Sequence, residues 1–228
     1  MIITIDGPSG TGKTTVARRV AEKMGFVYFD TGAMYRALTW VILQNNINLA
    51  SSLEMESLIS RFEFKIEERE GIKRYFVGEI DVTEAIRSRP VTAKVSEVAA
   101  QKEVRASLLP IQHQFAQHRN VVFEGRDLGT VVFPEAEIKI YLDADPEVRA
   151  ERRLEEILRS NPQEKHHLNK DQMRQDLLRR DEYDSTREIA PLRCPEGAYR
   201  IDTSQLTIDQ VVDMIVLYAK KKCRELMP

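Results

Sequence analysis

Near the amino terminus a β-branched run, Ile2-Ile3-Thr4-Ile5-Asp6, gives way to Gly7-Pro8-Ser9-Gly10-Thr11-Gly12-Lys13-Thr14, and an amphipathic stretch follows to about Met24. This is the G-x-x-x-x-G-K-[ST] pattern set between a strand and a helix, and no other feature constrains the chain as strongly. Glycines in such a loop let successive backbone N–H groups turn inward on an anion. The helix that opens near Lys13 adds its partial positive end to the same point. Lys13 is placed to reach β- and γ-phosphates, and the Thr14 hydroxyl suits Mg²⁺, a hard ion that prefers oxygen. The segment therefore predicts a nucleotide triphosphate site.

The rest of the chain repeats the alternation of strand, loop and helix. A second apolar run at 26–29 leads through Asp30-Thr31-Gly32 into a helical stretch over about 33–43, with Thr31 expected as its cap. Apolar runs rich in β-branched residues recur at 121–123 and 138–142, residues 199–201 offer a fifth strand, and 208–223 reads as a closing helix. This rotation predicts an α/β fold with a five-stranded parallel sheet flanked by helices. Near 61–78 the period changes to two. Phe62, Phe64 and Ile66 alternate with charged neighbours, as do Tyr75 and Val77, and Glu70-Gly71 lies between the runs. That pattern predicts an antiparallel hairpin with one wet face, inserted between helices. Helical periodicity then covers about 91–118. Pro110 falls inside it and predicts a kink or a new helix start, because an unaltered helix would lose about 3 kcal/mol there.

Composition narrows the class. The 228 residues, 42% hydrophobic and 31% charged, suit one sizeable packed domain and exclude a disordered or collagenous chain. With 34 basic and 36 acidic residues the net charge is -2, which argues against a nucleic-acid partner for the molecule as a whole. No apolar run approaches the ~20 residues of a membrane span, and no basic leader or signal core opens the chain, so a cytoplasmic protein without a membrane partner is expected. Cys194 and Cys223 lack metal spacing and read as free thiols. The absence of a long exposed apolar stripe favours a monomer.

A phosphate loop serves kinases, GTPases and motor ATPases alike. The nearest text to a guanine-reading Asn-Lys-x-Asp segment is Asn169-Lys170-Asp171-Gln172, with the carboxylate one residue early and in a polar helical stretch, which disfavours a GTPase. What the chain has instead is a second set of anion-binding groups. Arg36 follows the loop at Asp30-Thr31-Gly32, and Glu124-Gly125-Arg126-Asp127 follows a strand, at the edge where open α/β sheets bind ligands. Arg149, Arg152 and Arg153 lie on a helix after Asp143-Ala144-Asp145-Pro146. Arg180, Asp184 and Arg187 are spaced by four and three, one face of a helix if the helix persists. Transfer of a phosphoryl group between two phosphorylated molecules gathers several negative charges, which guanidinium groups and Mg²⁺ neutralise while holding donor and acceptor in line. Water has to be excluded as well, so the arginine-bearing stretch at about 149–165 is a candidate moving lid.

On these residues the chain resembles the bacterial cytidylate kinase family of nucleoside monophosphate kinases along essentially its whole length. The likeness is carried by Gly7 through Thr15, by Asp30-Thr31-Gly32-Ala33-Met34-Tyr35-Arg36, by Ser96 within Val95-Ser96-Glu97-Val98-Ala99-Ala100, and by Arg105. It is carried further by Gly125-Arg126-Asp127-Leu128-Gly129-Thr130-Val131-Val132-Phe133-Pro134 and by Arg180-Asp181-Glu182-Tyr183-Asp184-Ser185-Thr186-Arg187. The run beginning at Gly125 is much more discriminating than the phosphate loop. The resemblance implies a single domain of P-loop kinase type, with its core at about 1–60 and 101–228, an acceptor-binding insertion at about 61–100 and a short helical lid at about 149–165. It implies ATP-dependent phosphorylation of CMP and dCMP with Mg²⁺, and ATP bound by Gly7, Pro8, Ser9, Gly10, Thr11, Gly12, Lys13, Thr14 and Thr15. Thr31, Arg36, Arg126 and Arg187 would hold the acceptor phosphate. Ser96, Arg105 and Asp127 would read the cytosine, Arg180 with Asp184 would bind the pentose, and Arg152 and Arg153 would close onto the ATP phosphates. Lys13, Arg126, Arg152 and Arg153 are thus the expected catalytic set.

The chemistry of the base agrees with that implication. Cytosine offers an N4 amino donor to a carboxylate such as Asp127, and its O2 and N3 can accept from a guanidinium such as Arg105. Uracil would set O4 against the carboxylate and leave polar groups mispaired. Two alternatives stand beside this reading: another small-molecule P-loop kinase, such as a shikimate or adenylate kinase, and a non-catalytic ATP-sensing module. His166 and His167 read as lid-surface residues rather than metal ligands, and Trp40 as core packing rather than a stacking platform.

Overall fold

The computed structural model describes residues 1–69, 72–160 and 169–226. The strands and helices run in the order β1 (Ile2–Asp6), α1 (Lys13–Met24), β2 (Val27–Asp30), α2 (Thr31–Gln44), α3 (Ser52–Ile59), β3 (Phe64–Arg69), β4 (Ile72–Val77), β5 (Ile80–Asp81), α4 (Arg89–Ala100), α5 (Lys102–Ala116), β6 (Val121–Gly125), β7 (Ile138–Asp143), α6 (Pro146–Ser160), α7 (Lys170–Thr186), β8 (Tyr199–Asp202) and α8 (Ile208–Leu226). The chain divides into two compact units, one formed by Met1–Phe29 with Ala116–Pro228 and the other by Asp30–Phe115.

The first unit carries the five-stranded sheet in the order β2-β6-β1-β7-β8. Strand β1 pairs in parallel with β6 and β7, and β7 with β8, as the alternating pattern predicts. On one face Ile3, Ile5, Ile138, Ile140 and Leu142 meet Val16, Ala17 and Val20 of α1 and Val211, Val212 and Ile215 of α8, all buried. Strands β1 and β6 are buried almost throughout and show little alternation, as strands covered on both faces do, whereas β7 alternates buried Ile138, Ile140 and Leu142 with half-buried Lys139, Tyr141 and Asp143. The Phe29, Phe123 and Phe133 rings pack in series, with centroids 5.4 and 4.5 Å apart. Each full burial of such a side chain contributes roughly 1.5–3 kcal/mol.

The second unit holds the sheet β3-β4-β5. Its register sets Phe64 opposite Val77 and Ile66 opposite Tyr75, so the period-two residues share a face. That face packs on Ala33, Ala37, Val82 and Ile86, and Trp40 joins the same apolar cluster rather than forming a platform. The expected turn residues Glu70 and Gly71 lie outside the described residues, as do His166, His167 and the end of the candidate lid beyond Ser160.

Two local expectations are corrected. The helical stretch breaks at Gln101, an extended residue (φ -71°, ψ 130°) between α4 and α5, and not at Pro110. Helix α5 runs from Lys102 to Ala116 with Pro110 inside it, so no new helix starts there. The reason is exposure: Pro110 and Ala106 both face solvent, so water can satisfy the carbonyl that the missing N–H leaves unpaired. The cap of α2 is Asp30 and not Thr31: the Asp30 carboxylate accepts from the Ala33 N–H at 2.9 Å, while Thr31 is the first helical residue and is buried.

Candidate active site

In the first unit the loop after β1 is held in shape by its own backbone. Gly7 sits at φ 146°, and a side chain there would start 2.0 Å from the Leu142 carbonyl oxygen, so only glycine passes the end of β7. Lys13 is 6% exposed and donates to the Pro8 carbonyl, which also accepts from the Thr11 hydroxyl at 3.2 Å. Burial, and then the nearby Arg126 guanidinium, hold the Lys13 ammonium well below its ordinary pKa.

The ends of β1 and β6 supply two buried carboxylates. Glu124 accepts from the Thr14 hydroxyl at 3.0 Å and from the Tyr28 hydroxyl. Asp6 is fully buried, and its two oxygens accept from the N–H groups of Leu128 (2.9 Å) and Gly129 (2.8 Å). Burial pushes its carboxyl up to about 7, against the lowering by those two bonds. Neither role was read from sequence. The available signal was a carboxylate ending an otherwise apolar buried strand in both cases.

Arg126, just after β6, donates to Asp184 at 3.3 Å and to the Gly125 carbonyl at 3.2 Å. Arg180 lies 4.0 Å from the same Asp184 carboxylate. Burial first, and Arg126 second, draw the Arg180 guanidinium down to about 10, and its buried Nε has no hydrogen-bond partner among the described residues. Helix α7 ends at Thr186, so Arg187 does not share its face. From an extended backbone (φ -58°, ψ 144°) it reaches the Ala190 carbonyl through Nε at 2.8 Å and Asp127 at 3.2 Å.

The arginines of α6 separate. Arg149 is buried and pairs with Asp181, while its Nη1 also donates to the Ser9 carbonyl at 3.1 Å and Asp181 accepts from the Ser9 N–H at 3.3 Å. Arg152 donates to the Thr203 hydroxyl (2.9 Å) and carbonyl (2.6 Å), and the Thr203 hydroxyl donates to the Thr11 carbonyl at 3.3 Å. Arg153 pairs with Glu156 of its own helix at 2.6 Å. Lys13, Arg126, Arg180, Asp184, Asp127 and Arg187 are thus brought together by mutual contacts and fields, and Arg153, paired with Glu156, adds its charge to those acting on Arg180.

Within the second unit Arg36 donates to the Thr92 hydroxyl at 2.8 Å and the Ile86 carbonyl at 3.3 Å. Arg105 donates to the Ala99 carbonyl at 3.1 Å and lies 5.7 Å from the centroid of the Tyr35 ring, a cation–π distance. Ser96 is half-buried on α4.

Burial depresses both Lys13 and Arg180 and Arg126 adds to it in each, so three cations are crowded together, an arrangement suited to a polyanionic phosphate ligand. Comparison with known proteins agrees with this geometry. A family model described as cytidylate kinase matches residues 3–221. The chain belongs to the cytidylate kinase family. This is a family of nucleoside monophosphate kinases that use ATP as phosphoryl donor, so the chain is a phosphotransferase. The cytidylate kinase of Protochlamydia amoebophila is 49% identical over 218 residues, covering 96% of each chain. That of Carboxydothermus hydrogenoformans is 44% identical over 212 residues, covering 93% of this chain and 94% of the relative. An uncharacterized protein from Eubacterium ventriosum, 12% identical, superposes with a TM-score of 0.51 over 96% of this chain and 98% of its own, a likeness of fold alone. Among the described residues no helix is long and apolar enough to cross a membrane.

Proposed function

We propose that this chain transfers the γ-phosphoryl group of ATP to CMP and dCMP, giving ADP with CDP or dCDP. The observation that carries the reading is the position of Arg126. It belongs to the segment most specific to the family, and its charge acts on both Lys13 of the phosphate loop and Arg180 of α7. An acceptor phosphate oxygen attacks Pγ as the bond from Pγ to the ADP oxygen breaks. The acceptor is already a phosphate anion at neutral pH, so no base is required, and the work of the protein is alignment and charge neutralisation.

The roles follow. Gly7, Pro8, Ser9, Gly10, Thr11, Gly12, Lys13, Thr14 and Thr15 bind ATP. Thr31, Arg36, Arg126 and Arg187 hold the acceptor phosphate, Arg180 and Asp184 the pentose, and Ser96, Arg105 and Asp127 the cytosine. The Thr14 hydroxyl beside the Glu124 carboxylate is an all-oxygen pair that fits Mg²⁺, which supplies neutralisation of the phosphate oxygens when bound. Thr14 would be its ligand and Glu124 would orient it. Arg152 and Arg153 close from a lid at about 149–165, and residues 61–100 form the acceptor-binding insertion of a single domain. The chain acts as a cytoplasmic monomer, without nucleic acid or membrane.

A coupled assay across CMP, dCMP, UMP, AMP, dTMP and shikimate tests this. CMP and dCMP are expected to dominate. A higher kcat/KM with any other acceptor would reject the assignment.

A further inference from the structure

We propose that Asp6 is a positioning residue that caps the turn after Asp127 in place of Asp127 itself, and so leaves the Asp127 carboxylate available to the acceptor site. The inference rests on the acceptor role given to Asp127 above.

A helix or tight turn begins with N–H groups that lack partners within it. An aspartate at the position before the turn ordinarily folds its carboxylate onto those groups. Residues Leu128–Val132 form a short turn of the i to i+5 type, and Asp127 stands at that preceding position, yet its side chain makes no such bond. The Leu128 and Gly129 N–H groups donate instead to Asp6, 122 and 123 residues away in sequence, one to each carboxylate oxygen. Asp6 can do this because β1 and β6 are paired in parallel with Asp6 opposite Gly125, which sets its side chain beside the chain leaving β6. Relieved of capping, Asp127 directs its carboxylate to Arg187. The charged and titratable groups around Asp6 are Asp127, Lys13 and Cys194.

The test is Asp6→Asn, alone and combined with Asp127→Asn. Asparagine retains one acceptor oxygen but presents an NH₂ donor to the second N–H, so one of the two bonds is lost and a donor faces a donor. The turn then recruits Asp127. The KM for CMP is expected to rise about tenfold in the wild-type background and less than twofold in the Asp127→Asn background, a non-additivity that marks a shared function. A rise of equal factor in both backgrounds, or no rise in the first, would overturn the proposal. Should Asp6→Asn fail to fold, the wild-type chain still decides. The Leu128 and Gly129 amide protons are expected to be strongly protected from hydrogen exchange, and amides that exchange as fast as those of exposed turns would sink it. Loss of CMP preference in the wild-type enzyme would reject the functional reading instead, so the two failures are distinct.

Discussion

Arg187 and Asp127 form an ion pair at 3.2 Å, with side chains only 5% and 8% exposed. Arg187 keeps a second anchor on the Ala190 carbonyl, so the pair holds the guanidinium between a carboxylate and a backbone oxygen. Replacing Asp127 by Asn takes a counter-charge away from a buried guanidinium, which is expected to cost about 3 kcal/mol in urea unfolding. The same change alters base reading. An amide can donate to uracil O4 where a carboxylate cannot, so kcat/KM for CMP is expected to fall about 100-fold while the CMP-to-UMP ratio drops. An Asp127→Asn enzyme with an undiminished ratio would remove Asp127 from the base pocket.

Lys13 is expected to separate catalysis from stability. Its ammonium is held below its ordinary pKa by burial and by Arg126, so the fold gains little from it. The Pro8 carbonyl that it serves keeps the Thr11 hydroxyl. Lys13→Ala should therefore melt no lower than wild type, yet lose about 10³-fold or more in kcat, since its charge acts on phosphate oxygens in the transition state. Comparable turnover with an intact fold would refute the proposed mechanism.

The elements legible in the sequence are those with a local signal. The phosphate loop has its spacing, β1 and β6 their β-branched apolar runs, β7 its alternating Ile138, Ile140 and Leu142, and Phe64, Ile66, Tyr75 and Val77 their period of two. Helix α3 and strand β5 escaped the reading: β5 is two residues long, and α3 buries Met55 alone. Pro110 carried a strong local rule that solvent exposure of the freed carbonyl overrode. The site divides the same way. Arg126, Asp184 and Arg187 stand in recognisable motifs, whereas Asp6 and Glu124 acquire their roles from partners 96 to 123 residues distant, a relation that no local pattern encodes.

Arg149 and Asp181 illustrate the same long-range construction and make a separate prediction. They pair with each other while Arg149 donates to the Ser9 carbonyl and Asp181 accepts the Ser9 N–H, so one peptide unit of the phosphate loop is gripped on both sides. Gly10 is bound into the same clasp, since a side chain there would meet Arg149 at 3.0 Å. Asp181→Asn should lower unfolding free energy by about 3 kcal/mol, because it strands the buried Arg149 charge, and Arg149→Met by less, because the half-buried Asp181 keeps Lys13 and Arg180 nearby. The double variant should lose clearly less than the sum. The KM for ATP should rise in all three. Strict additivity in unfolding, with KM unchanged, would show the clasp to be incidental.

The pH dependence of stability follows from Asp6. Burial raises its carboxyl from 3.8 to about 7, with Asp127 adding to the rise and Lys13 opposing it. Between those values the folded chain retains a proton that the unfolded chain has released. Its contribution to stability therefore declines as pH climbs from about 4 to about 7 and levels off above. At 1.36 kcal/mol per pH unit the decline is on the order of 4 kcal/mol. Other groups titrate over the same range, so the informative quantity is the difference between wild type and Asp6→Asn, measured by urea unfolding at each pH from 4 to 8. That difference should change steadily up to about pH 7 and stay constant beyond it. A difference flat across the whole range would mean that Asp6 is already ionised in the folded chain at pH 4, held there by the Leu128 and Gly129 N–H groups more firmly than burial opposes.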